Sequence, residues 1–128
     1  MIKKIITTAV ISTALLMGAS KMANADDISI SGTTFGQDEF GLSAEFSTNV
    51  KNNTDKTIKA WKGDFVCLDA FGDKVINIKV VSRSANIEPK GSRYSGWKIS
   101  FIDTGADVIM NNDASNFKCS INNQQIVY

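Results

Sequence analysis

The chain has 128 residues, with 14 Lys and Arg against 13 Asp and Glu, for a formal net charge of +1. So even a balance gives no electrostatic case for nucleic acid or an anionic lipid surface. There is no histidine, which removes the commonest general base, the Ser-His-Asp and Cys-His arrangements, and the usual zinc and copper ligands.

Lys3 and Lys4 precede an uncharged apolar run from Ile5 to Ala19, and Ala23-Asn24-Ala25 follows with Asp26 behind it. A positive start, an apolar run and a small-residue site in this order predict a secretory signal peptide over residues 1–25, cleaved after Ala25. The run is shorter than the roughly 20 apolar residues of a membrane-spanning helix, and no later segment is a candidate span. The product, residues 26–128, is expected in the periplasm or secreted. About 100 residues make one domain with one core. Losing Lys3, Lys4 and Lys21 and no acid turns the charge balance mildly negative.

Cys67 and Cys119 are the two cysteines of this chain. An even count in an oxidising compartment predicts a disulfide between them; the alternative is a pair of buried thiols. There is no CxxC motif, so thiol redox chemistry is not expected.

In chain order, Ile28 and Ile30 alternate with serines and predict a first strand. Residues 35–41 (FGQDEFG) read as a loop. Leu42, Ala44, Phe46, Thr48 and Val50 alternate with Ser43, Glu45, Ser47 and Asn49, the period of a strand with one buried face. Residues 52–56 (NNTDK) carry turn chemistry. In the long strand 57–69, Trp61, Gly63, Phe65 and Cys67 are assigned to the core and Gly63 to a bulge. Gly72 permits the next turn, under which Phe71 is expected to tuck. Val75–Val81 continues as a strand. Residues 82–93, with Pro89 and Gly91, connect to a strand over 94–102. Residues 103–115 are a loop or a helical turn. Phe117, Cys119 and Ile121 alternate in a further strand, 122–125 turn, and Ile126–Tyr128 end as a short strand. The pattern predicts an all-β, single antiparallel β-sandwich of about seven strands, immunoglobulin-like, closed around Phe46, Trp61, Phe65 and Phe117.

The stretch Asn52-Asn-Thr-Asp-Lys56, Ile58, Gly63, Phe65, Cys67 and Asp69-Ala-Phe-Gly-Asp73, with Ile87-x-Pro-x-Gly91 and the closing Ile126-Val-Tyr128, resembles a family of small exported bacterial domains. These are immunoglobulin-like sandwiches akin to the FxLYD-type accessory domains. The resemblance covers most of residues 42–128 and rests on turn and core signals. It implies a fold and a compartment, and carries over no catalytic residue.

The acidic pairs Asp26-Asp27, Asp38-Glu39 and Asp69/Asp73 fall at a terminus or in turns, where solvation keeps carboxyls ordinary rather than tuned for glycoside chemistry. Asp103, Asp107 and Asn111 to Asp113 offer oxygens but lack the spacing of a calcium loop. No catalytic residue, cofactor or metal site is therefore expected. Trp61 and Trp97 are in phase with core residues; Tyr94 and Tyr128 are less constrained. Ile58, Val66 and Leu68 fall on the face assigned outward. They are either covered or form an apolar contact patch. The expected role is a non-catalytic exported module that contacts another envelope or extracellular protein through a sheet face or end loops. A secreted enzyme inhibitor inserting loop 35–41 or 103–115 is the alternative.

Overall fold

A computed structural model describes residues 20–22, 27–102 and 105–128. The strands are β1 (Ser20–Met22), β2 (Ile28–Gln37), β3 (Ser43–Asn52), β4 (Ala60–Leu68), β5 (Lys74–Arg83), β6 (Ser92–Ser100) and β7 (Lys118–Val127). A short helix, α1 (Ala106–Asn111), and a 3-10 turn (Ala114–Asn116) precede β7. Strands β2, β3 and β6 form one antiparallel sheet and β7, β4 and β5 the other, in those orders. Outside the predicted leader the count is thus six strands, where the pattern predicts about seven. Within the leader, β1 lies antiparallel beside Gln125–Val127.

The missing strand is explained by β7. The polar run 122–125 reads as a turn, yet β7 passes through it unbroken. Asn123 takes a left-handed backbone (φ 53°) inside the strand. Buried Gln124 receives the Ile28 N–H on Oε1 at 3.2 Å, and its Nε2 donates to Ile28 O and Ile121 O at 3.0 Å each. The amide thus acts as a piece of backbone joining β7 to the start of β2, in the other sheet. Similarly, β2 extends to Gln37 through the first three residues of the predicted loop, because Thr34 to Gln37 pair with Ser47 to Ala44.

The alternation on β3 holds from Ala44 onward: Ala44, Phe46, Thr48 and Val50 are buried. Leu42, expected on that face, is exposed. It precedes the strand, and its N–H is turned onto Asp38 Oδ1. Phe46 stacks on Phe65 at 4.1 Å and on Trp97 at 5.3 Å, and Trp61 meets Trp97 edge-on at 5.8 Å. Phe117 is half-buried at the flank, 5.9 Å from Phe35.

Gly63 sits where the register slips against both neighbouring strands. A Cβ there would lie 2.6 Å from Ile121 Cγ2 and 2.8 Å from Asn122 O, so only glycine fits. The next residue, Asp64, accepts from Val80 N at 3.1 Å and Asn123 Nδ2 at 2.9 Å. Both partners hold left-handed backbone, at φ 59° and 53°. One carboxylate on β4 thus ties irregularities on β5 and β7, the strands at its two sides.

That carboxylate gives a pH dependence. The Asn123 amide, then the Val80 N–H, holds the Asp64 carboxyl below its ordinary range. The Leu42 N–H lowers Asp38 and the Ser115 N–H lowers Asp113. The unfolded chain therefore takes up protons first as pH falls. The stability these carboxylates supply is present above the ordinary carboxyl value of 3.8 and is lost below it. Thermal melts from pH 6 to pH 3 are expected to drop steeply over the last unit, with Asp64→Asn showing a shallower fall. Identical slopes for the two proteins would contradict the assignment.

Candidate functional site

Strands β2, β4 and β6 run toward one end of the sandwich, and β3, β5 and β7 leave it. That end, which we term the tip end, carries the turn 38–42, the turn 69–73 and the segments 101–102 and 105–117. The opposite, base end carries 53–59 and 84–91.

The base end is closed by polar groups. Asn52 is fully buried. Its Nδ2 donates to Lys56 O at 2.7 Å and Ile87 O at 3.0 Å, and its Oδ1 accepts from Thr54 N and Thr54 Oγ1. Ile58 pairs with Ile87 through both backbone groups. Tyr128 Oη donates to Asp27 Oδ2 at 2.9 Å. Burial, then this carboxylate, pushes the phenol up to about 12.

This closure decides the suspected contact face. Ile58 is 0% and Val66 4% exposed, and Leu68 is half-buried. Ile58 and Val66 therefore make no open patch. Ile58 lies outside β4, in the bridge to Ile87, so strand parity does not govern it. Val66 points away from Phe65 but is flanked in register by Asn77 and Ser120.

The large exposed apolar side chains are elsewhere. Among the described residues, five of the seven large exposed apolar side chains, Phe40 (76%), Leu42 (60%), Phe71 (90%), Phe101 (54%) and Ile102 (77%), are at the tip end; Val80 on β5 and Tyr94 on β6 are not. The Phe101 N–H reaches Leu42 O, which places the first sheet's members side by side. Phe71 stands on the second sheet's turn and does not tuck under it. Asp69 Oδ1 accepts from Phe71 N and Asp73 N at 2.9 Å each, and this cap leaves the ring outside. Asp38 builds the other turn: its carboxylate accepts from Leu42 N and Ser43 Oγ, and its carbonyl from Gly41 N. Phe40-Gly41 and Phe71-Gly72 were a readable signal, since a large apolar residue before a turn glycine has little core to enter.

Asp38, Glu39, Asp69, Asp73, Asp107 and Asp113 lie on the segments of this end, against Lys74 and Lys118. They do not converge. Asn111 and Asn112 spend their Nδ2 groups on helix carbonyls, Asp113 caps the 3-10 turn, and Asp103 lies outside the described residues. Among the described residues no three His, Cys, Asp or Glu gather as a metal site. The recess of about 360 Å³ beside the 69–73 turn has Asp69 as its one acid.

Cys67 and Cys119 form a disulfide. They are direct register partners on β4 and β7, with Cα atoms 4.0 Å apart, so the bond joins neighbouring strands of one sheet rather than the two layers. Among the described residues no helix is long and apolar enough to cross a membrane. The fold and site define an antiparallel two-layer β protein with one cross-strand disulfide and an apolar tip. Comparison with protein-family models, curated proteins and solved structures finds no match.

Proposed function

We propose that this chain is an exported, non-catalytic, immunoglobulin-like module of the FxLYD-type accessory kind that binds another envelope or extracellular protein through its tip end. The carrying observation is the gathering of Phe40, Leu42, Phe71, Phe101 and Ile102 on that end. Exposed apolar groups in one place mark contact sites, and aromatic residues dominate interface energetics. Loop tips of this kind also enter bilayers. The acids of this end oppose approach to an anionic leaflet, which favours a protein partner. The disulfide supports export, since such bonds persist in oxidising compartments.

The test compares the mature protein with a Phe40→Ser/Phe71→Ser variant as bait in envelope and culture-supernatant extracts. Both side chains are outside the core, so the melting temperature should stay unchanged. A partner enriched by the mature chain is expected to fall at least tenfold with the variant. Equal recovery by both baits would sink the tip-end reading. A second reading, an enzyme inhibitor, is favoured by the rigidity of the 38–42 turn with Phe40 at its apex. It requires that the partner recovered be a hydrolase whose activity the mature chain suppresses.

A further inference from the structure

The two flanks of the sandwich differ in a way the tip end does not explain. On one flank β5 carries Lys74, Lys79 and Arg83, and β6 carries Arg93 and Lys98. Charged side chains on edge strands prevent pairing with other chains. Side chains also stitch this flank: Arg83 Nη2 donates to Gly96 O, and Trp97 Nε1 to Ser82 O at 3.2 Å. Arg83 lies over the Trp97 ring at 4.5 Å.

The other flank is tied by Gln124 at the start of β2, but among the described residues its edge strands carry almost no charge. β2 contains no charged residue, and β7 contains none after Lys118. Neither strand contains proline. Ile30, Phe35 and Phe117, which pack on the core, are only half-buried between the two edges. Recesses of about 520 and 360 Å³ run along the same side. β7 pairs with β4 on one side; on its other side the only described strand is β1, which covers three residues. The edge therefore accepts an added antiparallel strand. The one it holds belongs to the segment predicted to be cleaved.

We infer that the mature chain docks by this flank onto the same flank of a second copy, with β7 beside β7 across a two-fold axis. A two-fold perpendicular to the strands sets β7 antiparallel to its copy, the direction in which β1 already pairs. On this side β2 carries no charge and β7 carries only Lys118, at its tip-end start. A lone foreign strand would extend one sheet only, whereas a second sandwich covers both edges and the half-buried side chains between them. Ser20–Met22 then caps the edge until the leader is removed. The inference is independent of the tip end.

Sedimentation velocity and light scattering on the mature chain, residues 26–128, test it. A concentration-dependent dimer is expected. Ser120→Lys/Asn122→Lys on the exposed face of β7 should weaken self-association at least tenfold. Ser31→Lys, on β2 and away from the Asn123 bulge, should do so independently if the first variant folds poorly. Phe40→Ser/Phe71→Ser should leave the dimer intact, and a chain beginning at Ser20 should be monomeric where the mature chain is not. A monomer at every concentration, including one that binds a foreign strand peptide instead, would overturn the inference. So would a dimer indifferent to the lysines, or one formed as tightly by the chain that keeps Ser20.

Discussion

Phe65→Ala is expected to lower the unfolding free energy by about 3–5 kcal/mol. Phe65 is 0% exposed and lies in β4, the central strand of its sheet. Its ring stacks on Phe46 across the layers at 4.1 Å, and Phe46 in turn contacts Trp97. Truncation removes the transfer energy of a phenyl group and leaves a cavity where the sheets meet. The neighbours have little freedom to fill it: Gly63 pins β4 against β7, and the disulfide pins its far end. Part of the loss is the aromatic contact itself, about 1 kcal/mol beyond area. Urea unfolding should show the midpoint falling with an unchanged slope. A loss below about 1 kcal/mol would mean that the core does not close around this ring.

Removing the disulfide should have the next largest effect. The Cys67–Cys119 bond closes a loop with a sequence separation of 52. The chain-entropy model assigns such a cross-link roughly 4 kcal/mol, exerted on the unfolded chain. The bond joins two strands already paired in register, so its loss should not open the sheet. A Cys67→Ala/Cys119→Ala variant is therefore expected to keep its far-ultraviolet spectrum while its melting temperature drops sharply. Single substitutions leave a lone thiol and should aggregate under oxidising conditions. An unchanged melting temperature for the double variant would contradict the assignment of the bond as a stabiliser of the fold.

The layers were legible because burial follows parity on a regular strand. Ala44, Phe46 and Val50 on β3, and Trp61, Phe65 and Cys67 on β4, are inward as their alternation requires. The cysteine pairing was legible from the count, since two cysteines in a chain read as exported allow one pairing. Parity failed where the backbone leaves the strand, and within β4 at Val66, which is buried on the face assigned outward. Ile58 is buried by a bridge to Ile87, a contact set by tertiary closure that no local period encodes. Residues 122–125 looked like a turn because their polarity is real, but Gln124 and Asn123 spend it inside the sheet on Ile28 and Asp64. Asn52 was readable as turn chemistry, not as a buried centre of hydrogen bonds. The tip surface is not legible from single positions. Phe40, Phe71 and Phe101 come together only when the strand directions are known, and sequence spacing does not carry that.

The most direct test of the account places a photo-cross-linking amino acid at single positions of the chain expressed in its own cell. Positions 40 and 71 sample the tip end, and positions 59 and 90 sample the base end. Cross-links to one protein partner from 40 and 71, with none from 59 and 90, are the predicted result. The same partner captured from the base end, or from neither tip position, would contradict the claim that the tip end is where this protein meets its target.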